Sequence, residues 1–232
     1  MIVIVGSPAA RPVGKGIVAA GLSAEVARQA ATAGAAVQIV GRVGEDAAGD
    51  EVLLSLAAGG IGHVAMLREP GRPTPTEAPA GDSSASPDGP ALGEALLDGV
   101  DLLDGDGPPA DGDGSAPPVG LSLDAGDLEL ALRYIPDYRV LVVAADLDAA
   151  ALEAVVAAAG WSGAHLVVLL PDGSSTPALP DAATVFLRPE TDADGAFAAM
   201  VAGYAVALDQ GDEPRDAFAA AQRSGGWAAV AD

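Results

Sequence analysis

The chain has 232 residues, with 33 acidic side chains against 11 basic ones, a formal net charge of -22, and Lys15 as its single lysine. Such a surface repels nucleic acid and anionic membranes, so neither is an expected partner. Cysteine is absent, which excludes disulfides, thiolate chemistry and cysteine-ligated zinc, and acidic residues interrupt every apolar run before it reaches membrane-spanning length.

In chain order, Ile2 to Val5 reads as a buried strand that starts directly, with no basic leader, so the expected compartment is the cytoplasm. A helix is predicted around Ser23 to Ala33, with Ser23 its candidate N-cap, then a strand at Ala36 to Val40 and a helix at Asp50 to Leu56. This β-α-β-α order predicts a parallel sheet with covering helices. Half of the residues are apolar but only 3% are aromatic, so the core must be built from Ala, Val and Leu. Asp-rich, lysine-poor composition suits a salt-loaded cytoplasm, where counter-ions screen self-repulsion; a GC-rich genome gives the same bias.

Between Arg72 and Arg133 there is no basic residue, while Glu77 through Asp127 supply twelve acids. Pro, Gly, Ser and Asp dominate residues 74–120, which read as a long acidic loop with one short helix near Ala91 to Leu97. Order is expected to return with a helix from about Asp124 to Arg133 and a strand at Val140 to Ala144. An Ala-rich helix at Asp148 to Ala159 and a strand at His165 to Leu170 follow. Ala183 to Leu187 forms a further candidate strand, before helices at Asp194 to Leu208 and about Pro214 to Ala229.

The stretch GRVGEDAAGDEVLLSLAAGGIG, Gly41 to Gly62, places Gly41, Gly44, Asp46 and Gly49 as GxxGxDxxG between a strand and a helix. It closely resembles the glycine/aspartate turn of the ribokinase-like (PfkB) sugar and nucleoside kinases. The resemblance extends over residues 1 to about 75 and about 121 to 232. It implies one three-layer α/β domain over 1–232, a mostly parallel sheet with helices on both faces, and a reduced or disordered lid at 74–120. Many members of that family pair through lid strands; without that pattern, a homodimer would have to form by another route.

Ala20-Gly21-Leu22-Ser23-Ala24-Glu25 stands at the place of the family's GGxxxN motif, where backbone and asparagine meet the sugar. Gly21 is kept, but Glu25 replaces the asparagine; a carboxylate accepts hydrogen bonds from hydroxyls and cannot donate. Gly6-Ser7 matches a strand-end GS, and the aspartate expected after it corresponds to a position near Arg11. Asp146 matches an acidic position that faces the substrate. A plainer reading makes it the N-cap of the helix that follows. Gly21, Glu25 and Asp146 are thus the candidate substrate-binding residues, for a small polyhydroxylated ligand.

Thr191-Asp192-Ala193-Asp194-Gly195-Ala196-Phe197 resembles the family's DTxGAGDAF motif. There the resemblance implies an anion hole at Ala193, Asp194 and Gly195 and, if the protein is active, Asp194 as proton-abstracting base with ATP and Mg²⁺ as cofactors. The order is reversed, however: Gly195 holds the catalytic place. Moving a carboxylate by one residue at a helix start rotates it by about 100° and shifts it by about 1.5 Å. Misplacement on that scale loses about a hundredfold in rate. Two carboxylates also stand where phosphate charge must gather, although both residues can simply cap the helix. Val167 to Gly173 is either a worn remnant of the family's TLGxxG turn or the strand before it. In the second case Arg188-Pro189-Glu190 takes the NxxE place, and both alignments leave out a β-α unit.

Other patterns are weaker. Gly14-Lys15-Gly16 fails the phosphate-loop pattern at Ala9 and Gly16 and reads as a glycine turn. Asp104, Asp106, Asp111 and Asp113 lack calcium-loop spacing, and His63 and His165 lack the company of metal ligands, so no metal site is expected. The leading expectation is a degenerate carbohydrate-kinase-like protein with little or no phosphotransfer. An active ATP-dependent sugar or nucleoside kinase using Asp194 is the competitor. An acidic interaction module without activity is the third reading.

Overall fold

The computed structural model describes residues 1–77, 121–135, 137–174, 177–192 and 194–224. The first of the chain's two units comprises Met1–Ala80 and Gly120–Asp232. Residues 81–119, with the short helix expected at Ala91 to Leu97, and Ala193 lie outside the described residues.

The elements of the first unit are β1 (Ile2–Val5), β2 (Ala9–Val13), β3 (Gly16–Ala20), α1 (Leu22–Thr32), β4 (Val37–Gly44), α2 (Ala47–Ala58) and β5 (Gly62–Glu69). They continue with α3 (Ala125–Tyr134), β6 (Val140–Val143), α4 (Ala149–Ser162), β7 (His165–Pro171), β8 (Thr184–Arg188), α5 (Ala196–Gln210) and α6 (Pro214–Ser224). Six strands pair in the order β5-β4-β1-β6-β7-β8, and every pair is parallel. All four residues of β1 and of β6 are buried, as continuous apolar strands covered on both faces require.

Side-chain alternation divides the core in two. Ile2, Ile4, Ile39 and Val142 pack with Val26 of α1, Val52 of α2, Tyr204 of α5 and Ala217 of α6. Val3, Val5, Leu141 and Val143 point to the other face, against Leu128 of α3 and Val155 of α4. Three layers result: α1, α2, α5 and α6 on one side, the sheet in the middle, α3 and α4 on the other.

Ala9 to Ala20 forms an antiparallel hairpin, a second sheet of two strands, with Gly14 turning at φ 60 and Ala10 bridged in parallel to Thr76. From the sequence only a glycine turn at Gly14-Lys15-Gly16 is expected there, and it joins two strands that are not expected. In a two-stranded ribbon Pro12 has a solvent side for its missing donor. Helix α1 begins one residue before the expected cap. Its N-cap is Gly21 at φ 87, with no side-chain cap, while Ser23 sits inside the helix and is buried. The expected capping role of Ser23 is therefore overturned, because the glycine takes the left-handed turn that a serine would resist.

Candidate functional site

The glycine/aspartate motif is a packing knot. Asp46 caps α2 by accepting from the Gly49 amide at 2.8 Å, and it also accepts from the Thr74 hydroxyl at 2.6 Å and the Thr74 amide at 2.8 Å. The Thr74 hydroxyl in turn accepts from the Gly44 amide at 2.9 Å. A Cβ on Gly44 would lie 2.4 Å from the Arg72 carbonyl oxygen, one on Gly49 2.4 Å from that of Gly44, and one on Gly41 2.6 Å from that of Gly6. Backbones meet at all three glycines with no room for a side chain. The Thr74 hydroxyl holds the Asp46 carboxyl below its ordinary value against the opposing pull of burial; the Thr74 and Gly49 amides and the charge of Arg68 add to the lowering.

The chain runs outward from β1 through β4 to β5, and outward the other way from β6 through β7 to β8, so the direction reverses between β1 and β6. Open parallel sheets bind ligands at the carboxyl ends of strands at such a reversal. Gly6 follows β1 there, where a Cβ would touch Ser23 Cβ at 2.9 Å and the Ala144 carbonyl at 3.1 Å. Ser7 donates to the Leu121 carbonyl at 2.7 Å and accepts from the Arg42 amide at 3.0 Å, tying β1 and β4 to the chain that leads into α3. Arg42 reinforces this tie through ion pairs with Glu69 and Asp127. Burial pulls its guanidinium down, but the hydrogen bonds and charges of Asp127 and Glu69 prevail and hold it above its ordinary value. The hydroxyl of Ser23 is buried at the reversal with no hydrogen-bond partner among the described residues. Nothing in its sequence context distinguishes it from a cap.

The candidate substrate residues are only partly brought together. Glu25, in the first turn of α1, lies beside the start of α5: a Cβ on Gly195 would be 3.2 Å from its Oε1. Its carboxylate is engaged by Arg28, with Gln29 at 3.5 Å. Gly21 faces the hairpin instead, 3.6 Å from the Ala9 nitrogen and from Glu77 Oε1 when given a Cβ. Glu77 is held by Arg11 at 2.7 Å, so the position expected to carry a substrate-gripping aspartate supplies half of an ion pair. Asp146 accepts from Arg188 at 2.8 and 3.0 Å. The plainer reading of Asp146 as an N-cap is overturned, since Asp148 caps α4 through the Ala151 amide at 2.8 Å.

At the start of α5 the carboxylates lie against the helix. The Phe197 and Ala198 amides donate to Asp192 Oδ1 and Oδ2, each at 2.9 Å, and the Ala196 amide donates to Asp194 Oδ1 at 3.2 Å. Gly195 is the N-cap, at φ 70 in the left-handed region. The first three amides of the helix, the donors that an anion would use, are thus bonded to the chain's own carboxylates. Both aspartates act as caps, complementing the positive end of the helix. Any further anion at these amides would lie beside the carboxylates of Asp192 and Asp194. Among the described residues no group of three or more His, Asp or Glu side chains is placed to hold a metal ion.

No protein-family model matches the chain, and no curated protein matches it significantly. Solved structures do match. A ribokinase from Arabidopsis thaliana, complexed with ribose and ATP, is 16% identical over 97% of this chain and 90% of that one, with a TM-score of 0.59. The phosphofructokinase-2 from Escherichia coli in complex with fructose-6-phosphate is 13% identical over 98% and 93%, with a TM-score of 0.58. A fructokinase from Vibrio cholerae O395 in apo form is 13% identical over 97% of each chain, with a TM-score of 0.55. The architecture is a three-layer α/β one, shared with these neighbours. More narrowly, the chain has the ribokinase-like fold.

Among the described residues no helix is long and apolar enough to cross a membrane. The end of β7 leads through residues 172–183 to β8 with no helix between among the described residues, and Arg188 ends β8. Val167 to Pro171 lies in β7 and Asp172-Gly173 turns after it, as either alignment requires.

Proposed function

We propose that this chain is a degenerate PfkB-type carbohydrate-kinase-like protein with little or no phosphotransfer, retaining a place for a small sugar or nucleoside near Gly21, Glu25 and Asp146. One observation carries the reading. Asp192 accepts from the Phe197 and Ala198 amides at 2.9 Å, so the donors that would stabilise a migrating phosphoryl group are occupied by an internal anion. Arg28 on Glu25 and Arg188 on Asp146 add to it, because each candidate hydroxyl acceptor already holds a cation. ATP and Mg²⁺ belong to this protein only if it is active.

The experiment is an assay of the purified protein with a panel of sugars and nucleosides, ATP and Mg²⁺. No turnover is expected, with a sugar-dependent rise in melting temperature for at least one ligand. Turnover that Asp194→Ala abolishes overturns the reading. It would establish the second one, an active kinase with Asp194 as base. That alternative is favoured by the exposure of Asp194 and by its single bond of 3.2 Å to the Ala196 amide.

A further inference from the structure

β8 ends the sheet, and among the described residues no strand pairs with its outer edge. An unpaired edge presents a row of backbone donors and acceptors that another extended segment can complete. Directly beside it, β8, α5 and α6 enclose an open pocket of about 330 Å³, lined by Thr184, Phe186, Tyr204, Arg215 and Phe218 among others. Phe186 stacks on Phe218 with ring centroids 5.9 Å apart and meets Tyr204 edge-on at 5.2 Å. The Tyr204 and Thr184 hydroxyls bond each other at 2.9 Å, which turns the polar ends inward and leaves an aromatic wall. Phe218 is nevertheless 39% exposed, and Leu187, on the opposite face of β8, is 55% exposed. Edge and pocket together have the two parts of strand-addition recognition, backbone pairing for affinity and a side-chain pocket for selection.

Charge decides the occupant. Exposed Asp181 and Glu190 lie just beyond the two ends of β8, and exposed Asp212, Glu213 and Asp216 surround the start of α6. Against them stand Arg215 and an Arg188 already bound by Asp146. A second copy would set these carboxylates against themselves and bring a further net charge of -22, so self-pairing is opposed. We propose that the β8 edge binds an extended basic segment of another protein, which adds a strand to the sheet and rests one apolar side chain against the rings of Phe186 and Phe218.

The probe is a fluorescein-labelled, end-capped heptapeptide in which lysine alternates with valine, phenylalanine and valine, followed by anisotropy at physiological salt. Saturable binding is expected, lost when glutamate replaces the lysines. Two further peptides are N-methylated at alternate residues, one in each register. One register should weaken binding at least tenfold and the other should leave it unchanged, because only one edge of an added strand pairs. Phe218→Arg should also weaken binding at least tenfold; if that variant fails to fold, Leu187→Arg and the N-methylated peptides carry the test. The proposal is overturned if the basic peptide does not bind or if both N-methylated peptides bind as well as the parent, which would mean charge alone. A dimer in sedimentation that Leu187→Arg dissociates also overturns it.

Discussion

Asp192 reaches forward over the start of α5 and accepts from the amide of Phe197 at 2.9 Å, five residues further along the chain. A carboxylate in that position competes with any external anion for the same donors. Asp192→Gly should free the amides of Phe197 and Ala198. In the variant, sulfate or phosphate at millimolar concentration should raise the melting temperature; in the parent protein it should not. An equal response in both would remove Asp192 as the occupant of the site.

The same contact stabilises the helix. Asp192→Asn keeps the shape but loses the charge facing the positive end of α5, and it should cost about 1 kcal/mol. For a chain of this size that is a fall of roughly 2–4 °C in melting temperature, read by calorimetry. No fall would mean that the cap contributes nothing net.

Asp46 makes stability depend on pH at the acid end. Its carboxyl is held below the ordinary value of 3.8, first by the Thr74 hydroxyl. The stabilisation is complete above that ordinary value and is lost as the pH falls through the lower, folded one. Asp46→Asn should lose about 1–3 kcal/mol at neutral pH, because three donors lose a charged acceptor. Urea unfolding between neutral pH and about pH 2 should then show a shallower acid limb in the variant. An unchanged slope would assign the acid sensitivity elsewhere.

Glycines of turn and helix should respond in opposite directions. Gly44→Ala drives a methyl to within 2.4 Å of the Arg72 carbonyl oxygen. It should cost roughly 3 kcal/mol or more, since backbone cannot move aside cheaply. Gly160 lies within α4, and a methyl added there meets nothing within 4 Å. Gly160→Ala should stabilise by about 0.5–1 kcal/mol through the unfolded chain. Chemical unfolding of both variants reads the contrast.

Arg188 holds Asp146 at 2.8 Å in a pair whose acidic side chain is 67% exposed. Arg188→Ala should change stability by less than about 1 kcal/mol. It should enlarge any sugar-dependent rise in melting temperature, because Asp146 then accepts from hydroxyls instead. A ligand response that the substitution leaves unaltered takes Asp146 out of the site.

Some of this was legible in the residues alone. The apolar runs of β1, β6 and β7, the helix starts near Asp124 and Asp148, and the GxxGxDxxG turn are local patterns; which acid caps the helix after β6 was not, since Asp146 was the candidate and Asp148 is the cap. The local patterns report backbone conformation within a few residues of themselves, and the parallel three-layer sheet follows from their order. The hairpin at residues 9–20 was not legible, because Pro12 contradicts a strand wherever its neighbours are unknown. Ser23 resembled a cap for a similar reason: the competing turn at Gly21 depends on how β3 meets the helix.

Composition and spacing alone determined an acidic, cysteine-free α/β chain with Asp194-Gly195 at the start of its long last-but-one helix. Tertiary structure alone decided what those acids touch. Asp192 turns back onto the helix amides, Asp146 finds Arg188 across 42 positions, and Glu25 comes to lie beside Gly195. Such partners are set by which strand ends and helix starts converge at the reversal of the sheet, and a carboxylate's chemistry follows from its partner rather than from its place in the chain.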